Sequence, residues 1–331
     1  MMSDSATNNE RVVVGIDLGG TKVLAAAITE SGQILGRAKK KTKAQRTAED
    51  ILVRMAECCQ GAVQAAGLTL EQVEGIGVGS PGPLDPIQGI VLHTPNLNLT
   101  NAPIVPYLQE KLNKPAFLDN DVNVGTLGEF VYGVGHGKQD VVGIFLGTGI
   151  GGGVIINGRL LHGKSFNAGE IGHMKVRAGG AKCGCGQKGC LEAYASKTAL
   201  IRRFKKAVSK GKQTVLTSLL GNDWTRLTSN VFLEAYTSHD ELVVTEIHRA
   251  AKYTGIAAGS LINILSPEMI IIGGGMMLAF GDKILEIIRQ HARKNSFEMI
   301  FETVEIVQGT LGDDAGILGA AALAFQKLSI S

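Results

Sequence analysis

Five short glycine strings set the strongest limits on what this chain can fold into: Gly19-Gly20, Gly75 to Gly82, Gly147 to Gly153, Gly184 to Gly189 and Gly273 to Gly275. Glycine supplies 44 of the 331 residues, against ~7% in an average chain. One such string alone reads as an ordinary tight turn. Most of these follow an apolar run, which is where backbone approaches a ligand closely or turns with positive φ. The pattern therefore predicts sheets with a ligand cleft between them.

Periodicity supplies the elements around the strings. Strands are predicted at 12–17 and 23–28, with the turn Glu30-Ser31-Gly32-Gln33 leading to a third near 34–37. A helical face (Ile51, Leu52, Met55, Val63, Ala66) predicts a helix over 48–66, followed by a buried strand at 73–78, a helix at 104–112 and a strand at 116–119. The order βββαβαβ then starts again: strands at 141–146 and 153–156, a helix around 244–264, a strand at 269–272 and a helix around 283–294. The same plan used twice implies two lobes, assigned to residues 11–118 with 314–331 and to residues 119–313, the last helix (315–328) returning to the first. Two facing lobes suit closure over a substrate and exclusion of water from a phosphoryl donor.

Composition removes several classes. With 44% hydrophobic and 19% charged residues the chain has ample material for buried cores. It shows no leader-like N-terminus and no uninterrupted apolar run of roughly eighteen residues. A cytoplasmic protein with no membrane partner is the expectation. The net charge is only +3, and the densest basic cluster (Lys39, Lys40, Lys41, Lys43, Arg46) has no aromatic residues interleaved for base stacking. It reads as solvated surface, with no nucleic-acid partner.

The first chemical motif is Asp17-Leu18-Gly19-Gly20-Thr21-Lys22 between two strands. The glycines expose backbone N–H groups to a phosphate, Thr21 adds a hydroxyl and Asp17 can hold hydrated magnesium. No helix follows, so this is not a Walker loop; the plain alternative is a glycine hairpin with a surface Asp. Gly147-Thr148-Gly149 repeats the chemistry in the second half, and two phosphate-type hairpins imply a bound nucleotide.

The most specific signal is Cys183-Gly-Cys185-Gly-Gln-Lys-Gly-Cys190 preceded by His173. Three thiols and an imidazole meet the tetrahedral demand of a structural zinc, and four protein ligands leave no position for a catalytic water. The rival reading, a disulfide, is disfavoured for a cytoplasmic chain with five cysteines and a CxC pair. Cys58 and Cys59 are adjacent on a predicted helix and read as packing residues.

The strand-DxGGTK-strand motif, the Gly-Thr-Gly hairpin and the late Gly-Gly-Gly resemble the actin-like ATPase (ribonuclease H-like) fold of sugar kinases, in which Gly274 and Gly275 would lie near the adenosine. Glu170-Ile-Gly-His173, the cysteine cluster and Cys190-Leu-Glu192, with Leu118-Asp119-Asn120-Asp121-Val122-Asn123, resemble the ROK family of sugar kinases and sugar-responsive repressors over about residues 12–324. The resemblance implies ATP and Mg2+ held by Asp17, Gly19, Gly20, Thr21, Lys22, Gly147, Thr148 and Gly149. It also implies sugar contacts from Asn120, Asp121, Glu170, His173 and Glu192, with Asp121 as catalytic base, and a homodimer or homotetramer.

The residues agree with those roles. Asp121 opens a helix whose apolar side is Val124, Leu127 and Val131, so its carboxylate sits by the positive end of the helix dipole and is expected to have a low pKa. The plain alternative is a helix cap. Glu170 and Glu192 bracket the metal loop and can accept from vicinal hydroxyls. His173 can use one ring nitrogen for zinc and the other for a sugar hydroxyl. The reading is an ATP-dependent hexose 6-kinase with glucose as leading substrate. N-acetylmannosamine, N-acetylglucosamine and fructose are the rivals, with Gly79-Ser80-Pro81-Gly82-Pro83 shaping the side of the pocket that separates them. Polyphosphate as donor has only the lysine cluster in its favour. A repressor would need a helix-turn-helix module, for which no room precedes Asp17.

Overall fold

A computed structural model describes residues 10–42, 47–94, 97–221 and 223–330. The chain divides into two compact units, Met1–Tyr132 with Asp314–Ser331, and Gly133–Asp313. The first division falls after the helix that Asp121 opens, so that helix stays with the first unit rather than starting the second.

The first unit opens with β1 (Val12–Leu18), β2 (Lys22–Thr29) and β3 (Ile34–Lys41). Helix α1 (Ala48–Ala65) starts at a capping box, in which Thr47 Oγ1 accepts from the Asp50 N–H and Asp50 accepts from the Thr47 N–H. Then come β4 (Ile76–Ser80), the short β5 (Leu84–Asp85), β6 (Ile90–Thr94) and β7 (Leu99–Ala102), α2 (Ile104–Leu112), β8 (Ala116–Asn120) and α3 (Asp121–Val131). The sheet runs β3-β2-β1-β4-β8, antiparallel on the β1–β2–β3 side and parallel on the β1–β4–β8 side. Strands β5, β6 and β7 form a separate small sheet. Its strands are too short to show a period, and the plan βββαβαβ had no place for it.

Strand β3 is the edge of its sheet, and its lysines alternate between exposed Lys39 and Lys41 and half-buried Lys40, which pairs with Glu57 at 2.5 Å. Charge on an edge strand blocks pairing with another chain. Lys43 and Arg46 of the same cluster lie outside the described residues.

The second unit contains β9 (Val141–Leu146), β10 (Ile150–Ile156) and β11 (Arg159–Leu160), then helices α4 (Glu192–Ala195), α5 (Lys197–Val208), α6 (Val215–Leu220), α7 (Ser229–Thr237) and α8 (Glu241–Leu265). It ends with β12 (Met269–Gly273), α9 (Gly275–Phe280), α10 (Asp282–Lys294), α11 (Glu298–Phe301) and β13 (Glu305–Gln308). Its sheet, β11-β10-β9-β12-β13, repeats the first in order and in strand sense. Each unit has its own apolar core. Among the described residues no helix is long and apolar enough to cross a membrane.

The C-terminal helix (Ala315–Leu328) belongs to the first unit and is buried along most of its length. It packs at backbone distance on β1, β4 and α3. A Cβ on Gly15 would strike the Ile317 carbonyl, one on Gly77 the Ala320 carbonyl, and one on Gly319 the Val124 carbonyl. Part of the 75–82 glycine string therefore serves helix packing and not a ligand.

Candidate active site and metal centre

In the first unit the reactive side chains collect at the carboxyl ends of the parallel strands, the usual ligand position of such sheets. The register places Asp17 beside Gly79, and Gly79 beside Asp119. Beyond β8, Asn120 is the N-cap of α3: its Oδ1 accepts from the N–H groups of Val122 at 2.9 Å and Asn123 at 3.3 Å. Asp119, 2% exposed, accepts from the Asn120 N–H at 2.7 Å and from Asn123 Nδ2 at 2.9 Å. Asn120 thus takes the capping work, and Asp121 at the first helical position accepts from its neighbour's N–H, that of Val122, at 2.9 Å.

The Asp121 carboxyl is pushed up to about 6, first by burial and then by the Asp17 charge, with the Val122 N–H and Asn120 opposing. The low value expected from the helix dipole does not hold. A dipole worth up to ~1 kcal/mol is outweighed by desolvation together with a like charge.

The hairpin between β1 and β2 exposes Gly20 and Thr21, and closes through a bond from the Gly19 N–H to the Lys22 carbonyl at 2.9 Å. Gly316 lies directly under the Asp17 side chain, where a Cβ would come within 3.1 Å of the carboxyl carbon.

In the second unit the matching hairpin joins β9 and β10, with Thr148 and Gly149 exposed. The Gly147 N–H donates to the Gly149 carbonyl at 3.0 Å, and Thr198 Oγ1 donates to the Thr148 carbonyl at 2.8 Å. Gly274, at φ 86°, presses on the end of β9, where a Cβ would lie 2.6 Å from the Leu146 carbonyl oxygen. Gly274 and Gly275 are thereby brought next to the hairpin.

Glu192 faces inward. Its Oε2 accepts from the Ile150 N–H at 3.1 Å, and its Oε1 lies 3.5 Å from Cys183 Sγ. It ties the hairpin to the cysteine loop, which leaves it fewer free lone pairs for a sugar than the motif alone suggests. Glu170 is exposed, with Oε2 3.9 Å from His173 Nε2.

The ligand atoms of His173, Cys183, Cys185 and Cys190 all lie within 4.8 Å of one another. Cys183 Sγ is 3.8 Å from His173 Nδ1, and Cys185 Sγ is 3.8 Å from Cys190 Sγ. A tetrahedral ion with zinc–sulfur bonds of about 2.3 Å demands sulfur–sulfur separations of about 3.8 Å, so the group fits a zinc. Bonds of about 2.05 Å in a disulfide do not match. His173 thus turns Nδ1 to the cysteines and Nε2 to Glu170. Lys175, which sequence reasoning missed, donates to Cys190 Sγ at 3.1 Å. Three thiolates around a dication would leave one excess negative charge, which Lys175 is placed to balance. Burial pushes the Cys183 thiol up, whereas the Gln187 backbone N–H lowers that of Cys185. Cys58 and Cys59, pushed to about 11 and about 12 by burial, are inert packing thiols.

Residues 13–327 of the chain match one family description, the ROK family. The chain belongs to the ROK family. A glucokinase of Halalkalibacterium halodurans is 35% identical over 323 residues, covering 96% of each chain. The solved structure of a ROK family glucokinase from Streptomyces griseus in complex with glucose and AMPPNP is 32% identical with a TM-score of 0.82, covering 95% of this chain and 99% of that one. A xylose repressor of Caldicellulosiruptor bescii is 31% identical, covering 96% of this chain and 78% of its own length. The fold is accordingly the actin-like ATPase fold of the ROK sugar kinases.

Asp17, Gly19, Gly20, Thr21, Lys22, Asn120 and Asp121 fall in the first unit of this ROK chain. Gly147, Thr148, Gly149, Glu170, His173, Cys183, Cys185, Cys190, Glu192, Gly274 and Gly275 fall in the second. Asp119 and Lys175 are the additions. Each had a signal: a second carboxylate next to Asn120-Asp121, and a cation two residues after a presumptive metal ligand.

Proposed function

We propose that the protein is an ATP-dependent hexokinase that transfers the γ-phosphoryl group of ATP to the 6-hydroxyl of glucose. The observation that carries the reading is Asp121, a carboxylate at a capped helix start whose pKa near 6 suits a general base at neutral pH. Similarity to glucokinases over almost the whole chain supports the choice of sugar.

Asp121 orients the 6-hydroxyl and accepts its proton as the hydroxyl oxygen bonds to the γ-phosphorus and the bond to the β,γ-bridging oxygen breaks, releasing ADP. The transition state is loose, so positioning matters more than base strength. The exposed residues Gly20 and Thr21, and Thr148 and Gly149, offer N–H groups to phosphate oxygens, while the Gly19 and Gly147 N–H groups close the two hairpins. Asp17 is the residue to hold hydrated magnesium, which neutralises phosphate charge when bound. Asn120, through its amide nitrogen, Glu170, His173 Nε2 and Glu192 contact sugar hydroxyls; His173, Cys183, Cys185 and Cys190 would hold zinc, which would fix the orientation of the last three. We place the protein in the cytoplasm, as a homodimer or homotetramer.

A coupled assay with the purified protein and ATP tests the reading. Turnover of glucose well above that of N-acetylmannosamine, N-acetylglucosamine and fructose is expected. The likeness to xylose repressors favours a second reading, a sugar-sensing regulator, which would bind sugar without turning it over.

A further inference from the structure

The second unit holds a cavity of about 910 Å³, lined by none of the residues assigned above. Half of the residues in its walls are cationic. Helix α5 lays Arg202, Arg203 and Lys206 along it, and Lys210 and Lys212 follow from the turn beyond. Lys182 enters from the cysteine loop and Arg249 from α8. Seven cations therefore stand against two carboxylates, Glu241 and Glu246, an excess of five in a chain whose whole net charge is +3.

Glu246 acts as an internal brace. Its side chain is 9% exposed and pairs with Arg203 at 2.8 Å and Arg249 at 3.0 Å. Arg203 also donates to the Ala193 carbonyl at 2.6 Å and lies 5.2 Å over the Tyr194 ring. Arg202 donates to the Lys182 carbonyl at 3.1 Å. The guanidinium groups are thus held in place before any ligand arrives, which lowers the entropic cost of binding. Lys182, Lys206, Lys210 and Lys212 form no ion pair among the described residues. Concentrating unpaired cations in one concavity costs self-repulsion that a polyanion relieves.

We propose that this cavity binds a small anion carrying two or more phosphate groups. Its volume lies in the range of small-molecule sites, about 300–1,000 Å³. Fixed guanidinium forks and mobile ammonium groups together match phosphate oxygens. No aromatic side chain lines it, so the base stacking that holds single-stranded nucleic acid is missing.

The test is calorimetry on the full chain saturated with glucose and a non-hydrolysable Mg-ATP analogue, so that the proposed substrate sites are filled. The titrants are inorganic tripolyphosphate, fructose 1,6-bisphosphate, inorganic phosphate and a single-stranded RNA oligonucleotide. One equivalent of tripolyphosphate or of the bisphosphate is expected per chain, with inorganic phosphate at least ~10-fold weaker. Binding of the first alone identifies an inorganic oligophosphate as the source, and of the second alone a phosphorylated metabolite. Lys206→Gln/Lys210→Gln, and Arg202→Gln separately, should weaken binding at least ~10-fold while leaving the kcat for glucose unchanged. The proposal is overturned if neither small probe binds, if RNA alone binds, or if both variants bind as tightly as the parent.

Discussion

A carboxyl group at the first position of a helix is ordinarily held ionised by the helix dipole. Asp121 instead titrates near 6, because burial and the Asp17 charge disfavour the anion. Two consequences can be measured. The base must be deprotonated, so kcat/KM for glucose should fall about tenfold per pH unit below about pH 6. In Asp121→Asn, kcat should drop at least ~10²-fold with the KM for glucose little changed. The same shift bears on stability. A carboxyl raised from 3.8 to about 6 on folding makes the folded state the tighter proton binder, so its contribution is full below 3.8 and is lost as pH rises through 6. Removing the charge should therefore raise the thermal midpoint at about pH 7.5, by the equivalent of roughly 1–2 kcal/mol, and the gain should vanish near pH 4. Thermal melts of both proteins at the two pH values check this; equal shifts at both would mean that the carboxyl is not the cause. The position of Asp121 was legible in Asn120-Asp121, since an Asn-Asp pair ahead of an apolar helix marks a helix start. Its pKa was not, because the burial that chiefly raises it comes from tertiary packing, and the second cause, the Asp17 charge, arrives through sheet register across more than a hundred residues.

At the scale of elements, the cysteine loop and the glycine contacts separate function from packing. Three sulfurs and an imidazole nitrogen within 4.8 Å of one another, two of the pairs at the 3.8 Å a tetrahedral ion demands, predict about one zinc per chain by elemental analysis. Cys185→Ser, or removal of the metal by a chelator, should lower the thermal midpoint and raise the KM for glucose more than the KM for ATP, since Glu170, His173 and Glu192 lose their anchor. Protein purified without zinc and still fully stable would contradict it. The glycines divide in a way the sequence alone could not show. A Cβ at Gly77 would collide with the Ala320 carbonyl, whereas one at Gly20 meets nothing within 4 Å. Gly77→Ala should cost at least ~2 kcal/mol, because backbone must move. Gly20→Ala should leave the melting midpoint within a degree or two and raise the KM for ATP. Equal destabilisation of the two variants would sink the assignment. Both glycines sit in strings after apolar runs, so only the docking of the C-terminal helix tells them apart.

At the scale of the whole molecule, the repeat was the most legible feature. Two β-hairpins, each followed at a distance by a buried strand, predicted two sheets of one plan, and the sheets share both strand order and strand sense. What escaped was β5 to β7 in the first unit and, in the second, α5 to α7 together with β11 and β13, the two edge strands of its sheet. These elements are short and partly polar, and their positions are set by packing more than by their own period. The proposed reaction, phosphoryl transfer from ATP to glucose, rests on Asp121 as its base. The most direct measurement is phosphorus NMR of a reaction containing purified protein, Mg-ATP and glucose, run beside the Asp121→Asn variant. The account predicts stoichiometric growth of glucose 6-phosphate and ADP signals with the parent protein, and growth slowed at least ~10²-fold with the variant. No sugar phosphate from the parent protein at saturating glucose, with glucose binding confirmed by calorimetry, would contradict it.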